Sequence, residues 1–141
     1  MIVNFYHLTA TPLERVLPSV AQSLLNAGER LLVVADEPLL DRLDEQLWTS
    51  APDSFLPHGR DRPEAQPVLL AESPEPVNGA RSIALADGRW RDEALGFDKA
   101  YYFFDASALD EARTLWRRFA KAPEVEARFW KQVEGKWVQG P

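Results

Sequence analysis

The sequence contains no cysteine, and it has no excess of positive charge. Without cysteine, the chain can form no disulfide, no thiolate metal site and no cysteine nucleophile. Its 16 lysines and arginines are outnumbered by 22 acidic residues, for a formal net charge of −6. Direct binding of nucleic acid needs a basic face that neutralises phosphates, so the composition argues against it, although a local basic patch can exist within an acidic protein.

Motifs for cofactors and for catalysis are also missing. The seven glycines form neither a GxGxxG pattern nor a phosphate loop ending in GK[ST], and no GxSxG surrounds a serine. The two histidines, His7 and His58, are far apart in sequence and lack an HExxH context, so a metal site would need carboxylates from elsewhere in the chain. We therefore predict no cofactor, no metal and no catalytic residue.

Long hydrophobic runs are absent as well. No stretch approaches the length of a membrane span, and no basic segment followed by an apolar run stands at the N-terminus. We expect a cytoplasmic protein that does not contact a membrane. At 141 residues the chain is long enough for a hydrophobic core, and the simplest expectation is one domain over residues 1–141.

What the sequence does contain is an alternation of apolar runs and helical stripes. Ile2–Leu8 is rich in β-branched and aromatic residues, and Arg30–Ala35 holds a continuous apolar run typical of a strand covered on both faces. Strands that alternate with helices over short connections predict an α/β fold with a mainly parallel sheet. The further predicted strands are Val68–Ala71, Ser82–Leu85 and Lys99–Phe104, with a terminal β-hairpin of Phe129–Val133 and Lys136–Gln139. The predicted helices end near Gly28, Trp48 and Lys121.

Two of the predicted helices begin at recognisable signals. Thr11 can cap the first helix, with Pro12 at the first helical position and Glu14 placed for a capping box. Pro18 lies inside this helix and should kink it. Ser107 is predicted to cap the last helix, whose acidic first turn suits the helix dipole.

A long proline-rich loop from Thr49 to Pro67 follows the second helix and carries large aromatic residues on and beside it. Trp48 and Phe55 either fold back onto the core or form an apolar patch for a protein partner, and composition does not decide between the two. We predict that both are partly exposed and lie close together. His58 is interpreted as a loop residue that forms hydrogen bonds.

The last helix has one apolar stripe and one mixed flank. At 100° per residue the core stripe consists of Ala108, Ala112, Leu115 and Phe119. The adjoining side carries Leu109, Arg113, Trp116, Arg117 and Ala120. This flank is either a solvated helix face with Trp116 at the edge of the core, or a shallow apolar notch rimmed by arginines. A notch of the second kind suits a carboxylate-bearing peptide, because a guanidinium can bind a carboxylate through two hydrogen bonds.

Several stretches together resemble a known family, the chi subunit of bacterial DNA polymerase III. They are Phe5-Tyr6-His7-Leu8, Gly28 through Val34, Asp44…Leu47-Trp48 with Ser54-Phe55-Leu56-Pro57-His58, Ala112-Arg113…Trp116-Arg117, and Trp130…Gly135-Lys136-Trp137. The resemblance runs nearly end to end and implies a Rossmann-like α/β fold without the nucleotide fingerprint. It also implies a non-catalytic accessory subunit of a DNA-directed DNA polymerase, an adaptor within the clamp-loader assembly.

The resemblance further implies two protein partners. In this family chi holds the acidic C-terminal tail of single-stranded DNA-binding protein, and the tail pocket maps onto Arg113, Trp116 and Arg117. Helical spacing adds Leu109 to the same flank. The surface of Trp48 and Phe55 resembles the face that engages the psi subunit, or a helicase in its place. Two other interpretations stay open at this point, namely a small α/β enzyme that uses the loop around His58 and a nucleotide-binding module.

Overall fold

The structure is a computed structural model that describes residues 1–9, 11–49, 59–60, 62–133 and 136–140, without the side chains of residues 46–49, 133 and 136. The strands of this part of the chain are β1 (Ile2–His7), β2 (Leu31–Val34), β3 (Val68–Ala71), β4 (Ser82–Leu85), β5 (Lys99–Phe104), β6 (Glu126–Val133) and β7 (Lys136–Gln139). The α-helices are α1 (Leu13–Asn26), α2 (Glu37–Thr49) and α3 (Leu109–Ala120), and short 3-10 helices lie at Pro63–Ala65, Asp92–Gly96 and Ala106–Ala108.

The described strands form one sheet of seven in the order β3-β2-β4-β5-β1-β6-β7. Every neighbouring pair is parallel except β6 and β7, which form the antiparallel hairpin. The predicted α/β fold with a mostly parallel sheet and a C-terminal hairpin is therefore confirmed. The bounds predicted for β3, β4 and β5 also agree with the structure, and β5 lies at the centre of the sheet.

Helices cover both faces of the sheet. Alternate residues of β2 point to opposite faces, and all of them are buried, as the continuous apolar run predicts. Leu31 and Val33 pack in a cluster with residues of α1 and α2, whereas Leu32 and Val34 pack in a second cluster with residues of α3. α3 therefore lies on the opposite face of the sheet from α1 and α2.

The predicted helix caps are wrong at two positions. α1 begins at Leu13 and has no side-chain cap; the hydroxyl of Thr11 instead accepts a hydrogen bond of 2.8 Å from the Nε2 of Gln132, which ties the start of α1 to β6. Ser107 does not cap α3, because it lies in a 3-10 turn whose cap is Asp105, and the carboxylate of Asp105 accepts from the Ser107 N–H at 2.9 Å. Each residue that the sequence assigned to a helix cap is therefore bound by another polar side chain, Thr11 by the distant Gln132 and Ser107 by the neighbouring Asp105.

The end of α1 follows the sequence prediction. Gly28 has a φ of +77°, a left-handed conformation that glycine adopts without a steric cost. Its N–H donates to the carbonyl of Leu25, and the N–H of Glu29 donates to the carbonyl of Leu24, which is the hydrogen-bond pattern of a Schellman motif. The chain can therefore reverse at once and enter β2.

Candidate functional site

A groove of about 470 Å³ lies between α3, the strand β6 and the C-terminal end of β1, and we call it the α3 groove. It contains all four residues that the sequence placed on the flank of the last helix for binding a tail. Its lining residues are Phe5, His7, Phe104, Leu109, Ala112, Arg113, Trp116, Arg117, Phe129 and Lys131. The predicted core stripe of the last helix is also confirmed, since Ala112, Leu115 and Phe119 are buried and Ala108 is half-buried.

The floor of the α3 groove is aromatic. The ring of Trp116 meets the buried ring of Phe5 edge-on at 5.3 Å and the ring of Phe129 at 6.1 Å, measured between ring centroids. Leu109, the first residue of α3, is half-buried. Edge-to-face contacts of this kind fix the orientation of a large side chain. The floor is therefore a preformed apolar surface suited to an apolar side chain.

The rim of the groove is cationic. Arg113 and Arg117 are exposed, one turn apart on α3, and Lys131 is exposed on β6. In the part of the chain that the structure describes, none of these three has a carboxylate within ion-pair distance. Arg118, on the same helix but outside the groove, pairs with Asp92 at 2.9 Å. The cations of the groove are thus available to an anionic ligand.

His7 closes the groove at the end of β1. Its ring stacks on that of Phe104 at a centroid distance of 5.0 Å and an angle of 8°. Nearby, hydrogen bonds from Ser107 hold the pKa of Asp105 below its usual value, with a smaller contribution from the charge of His7. Asp105 is therefore ionised and already engaged, and it does not occupy the groove itself.

Sequence reasoning missed the residues that the strands contribute to the groove, which are Phe5, His7, Phe104, Phe129 and Lys131. The signal was present in part, because the hairpin was predicted and its alternate residues must share a face. The missing step was the parallel pairing of β6 with β1, which places Tyr6 opposite Trp130. This pairing joins residues about 120 positions apart, and no local pattern encodes it.

The second predicted interface cannot be located in the same way. Trp48 belongs to the last turn of α2, but its side chain lies outside the described residues. Phe55 and His58 also lie outside them. The predictions for these positions stay predictions.

A larger cleft, of about 580 Å³, lies at the carboxyl ends of the parallel strands, where α/β proteins commonly bind ligands. Its rim includes Glu14, Asp36, Asp87 and Asp105. Three of these carboxylates serve the fold, since Asp36 accepts from the Leu39 N–H at 3.1 Å, Asp87 pairs with an arginine, and Asp105 caps the 3-10 turn. The lining also contains one cation, Arg42, but the four carboxylates outnumber it, and an excess of acidic groups disfavours the binding of phosphate.

Within the described ranges, no group of three or more histidine, aspartate or glutamate side chains is arranged to hold a metal ion. The helices found there include none that is long and apolar enough to span a membrane.

The fold and the groove define an α/β protein with an apolar groove that is rimmed by cations. The family described as DNA polymerase III chi subunit, HolC, matches residues 1–126 of the 141. The chain therefore belongs to the DNA polymerase III chi subunit family, and the resemblance seen in the sequence is confirmed. Membership assigns it an accessory role in DNA replication within the DNA polymerase III assembly. A comparison with curated proteins gave no significant match.

Proposed function

We propose that this protein is a non-catalytic adaptor of the clamp-loader assembly and that it binds the acidic C-terminal tail of single-stranded DNA-binding protein in the α3 groove. The observation that carries the proposal is the convergence of Leu109, Arg113, Trp116 and Arg117 on one groove, whose arginines form no ion pair with any residue that the structure describes. All four positions also lie within residues 1–126, the part of the chain that matches the chi family.

The chemistry of the groove fits the end of a peptide chain. A terminal carboxylate can accept two hydrogen bonds from one guanidinium, and Arg113 and Arg117 offer two such groups. The apolar side chain of the last residue can lie on Trp116 and Leu109, since this floor is partly open to solvent. The two features together select a free C-terminus with an apolar last residue.

Electrostatics limit the affinity of such a contact. The whole chain carries a formal charge of −6, so an acidic tail is attracted only at short range by the groove cations. A small interface of this kind gives modest affinity. Because the arginines are exposed, added salt screens them and should weaken binding.

A peptide titration tests the proposal. The full chain is titrated with an acidic peptide that ends in an apolar residue and a free carboxylate, and with the same peptide carrying a C-terminal amide. We expect salt-sensitive binding of the free acid and a loss of at least tenfold for the amide, since roughly 1.5–3 kcal/mol is lost with a charge-assisted hydrogen bond. Equal binding of both peptides, or binding that is insensitive to salt, would locate the contact elsewhere.

A second contact belongs to the same proposal. We propose that Trp48 and Phe55 form the surface for the psi subunit or for a helicase, as the resemblance to the chi family implies, and that residues 1–141 act as one cytoplasmic domain carrying both contacts. A pull-down from native lysate, with and without a competing acidic tail peptide, separates the two sites. The partner of Trp48 and Phe55 should stay bound when the peptide displaces the partner of the α3 groove.

A further inference from the structure

The α3 groove has a second wall, formed by β6, that faces the helix. Side chains alternate along a strand, so Phe129 and Lys131 point into the groove while Arg128 and Trp130 point to the other face of the sheet. The opposite direction of Trp130 is fixed by its indole N–H, which donates to the Oδ1 of Asn4 at 3.0 Å. The direction of Lys131 is therefore set by the sheet.

The helix wall and the strand wall of the groove are close enough for an aromatic ring of one to contact a ring of the other. Trp116 of α3 and Phe129 of β6 meet at a ring-centroid distance of 6.1 Å, and each is flanked on its own wall by a cation. Arg113 and Arg117 flank Trp116, and Lys131 follows Phe129 on the same face of β6. Positive charge thus lies on both sides of one apolar surface.

His7 adds a hydrogen-bond donor on the side of the strands. Its ring is stacked nearly parallel to that of Phe104, with ring centroids 5.0 Å apart. A stacked histidine can still form hydrogen bonds in the plane of its ring, where its N–H groups point. A histidine ring carries an N–H donor in both its neutral and its charged form. A carboxylate near Lys131 can therefore accept a hydrogen bond from His7 as well.

We infer that a bound tail crosses the groove from α3 to β6, with its terminal carboxylate on Arg113 and Arg117 and its preceding acidic side chains on Lys131 and His7. This inference rests on the proposed function. The proposed function places both the terminal carboxylate and the apolar last side chain on residues of α3. The polar groups that remain in the groove for the preceding acidic residues are therefore Lys131 and His7, on the strands. An ammonium is a flexible point charge without the planar fork of a guanidinium, which suits a mobile acidic side chain.

The experiment is a double-mutant cycle between the full chain and two peptides. One peptide carries acidic residues before an apolar C-terminal residue, and the other has these acids replaced by their amides. The variants are Lys131→Gln, which removes the charge, and His7→Phe, which keeps an aromatic ring over Phe104 but removes the donor. Arg128→Gln is the matched control, because it removes the same charge from the same strand on the opposite face.

We expect Lys131→Gln and His7→Phe each to weaken binding of the acidic peptide by roughly two- to fivefold, as for a partly exposed ion pair. Each should weaken binding of the amide-substituted peptide much less, because its side chains have lost the negative charge and keep only a neutral carbonyl acceptor. Arg128→Gln should bind both peptides like the wild type. If the wild type binds the acidic peptide but Lys131→Gln and His7→Phe leave its affinity unchanged, the strand wall has no role, while the proposed tail site stands. If the wild type binds neither peptide, both proposals fail.

Discussion

The indole of Trp116 contacts the phenyl ring of Phe5 edge-on, with ring centroids 5.3 Å apart and ring planes at 79°. Phe5 is a buried residue of β1, and its ring also meets those of Tyr102 and Phe119 in the core. Trp116 is thus both the floor of the α3 groove and the outer edge of the core. Of the two roles that the sequence left open for Trp116, the packing role is therefore observed, and the binding role stays a proposal.

Trp116→Ala should therefore reduce stability as well as binding. A fully buried tryptophan costs about 3–5 kcal/mol on truncation, so for the half-buried Trp116 we expect about 2 kcal/mol in the free energy of unfolding. Urea denaturation measures this cost, and peptide titration measures the loss of binding. Trp116→Tyr is the matched variant, since it keeps a ring against Phe5 and should retain most of both properties. Full stability of Trp116→Ala would show that the ring contact contributes nothing to the fold.

Arg117→Glu should remove tail binding and leave the fold intact. Arg117 is exposed, has no ion pair among the described residues and lies off the core stripe of α3. Losing a charge-assisted hydrogen bond costs roughly 1.5–3 kcal/mol, and reversal adds repulsion, so affinity should fall well over tenfold. The measurement is titration of the purified variant with the acidic tail peptide at low salt.

The control for this charge reversal is Arg15→Glu. Arg15 is an exposed arginine in the first turn of α1, on the opposite face of the sheet, so the net charge changes equally at a distant place. Arg15→Glu should bind the peptide almost like the wild type. An equal loss in both variants would mean that net charge alone, and not the groove, governs the affinity.

Local pattern predicted most of the fold because the strands and helices are strongly periodic. The apolar runs of β3, β4 and β5 appear in the structure at the predicted bounds, and the stripe of α3 gave the flank that lines the groove. The strand wall could not be predicted, because it depends on the parallel pairing of β6 with β1 across the whole length of the chain. The caps failed for a related reason: the hydroxyl of Thr11 is bound by the distant Gln132 rather than used at its own helix.

Tyr102→Phe should destabilise the protein although only one oxygen atom is removed. The Tyr102 hydroxyl is buried and donates to the carbonyl of Gly88 at 2.7 Å, so its removal leaves that carbonyl without this partner. An unsatisfied buried acceptor costs about 1–3 kcal/mol. The neighbouring variant Tyr101→Phe is the control, because in the described structure the hydroxyl of Tyr101 makes no hydrogen bond and its side chain is half-buried. Chemical denaturation of the two variants should differ by at least about 1 kcal/mol, and equal midpoints would contradict the importance of the Gly88 contact.

Arg91→Ala should be strongly destabilising, because Arg91 pairs with the buried carboxylate of Asp87. Both nitrogens of the Arg91 fork bind the carboxylate of Asp87, at 2.9 and 2.8 Å, and the Asp87 side chain is only 3% exposed. Removing one partner of a buried pair costs roughly 3–5 kcal/mol, because the other charge is left buried. Arg81→Ala is the comparison: Arg81 and Asp98 are 81% and 60% exposed, and such a pair contributes under about 1 kcal/mol. Similar losses in the two variants would contradict this difference in burial.

The Asp87–Arg91 pair should also give the protein a distinct response to acid. Burial alone would raise the pKa of Asp87, but the hydrogen bonds and the charge of Arg91 outweigh it and hold that pKa below its usual value. A carboxylate with a lowered pKa stabilises the fold above its unfolded pKa, near 4, and this contribution is lost as the pH falls through the folded pKa. In Arg91→Ala the burial of Asp87 is opposed only by the N–H and the charge of Arg89, so the pKa of Asp87 should rise and its stabilising contribution at neutral pH should shrink. Stability curves from pH 7 to pH 3 should therefore converge, with the deficit of Arg91→Ala relative to the wild type shrinking as the solution becomes acidic. A deficit that stays constant over this range would mean that Arg91 acts through packing alone and not through the charge of Asp87.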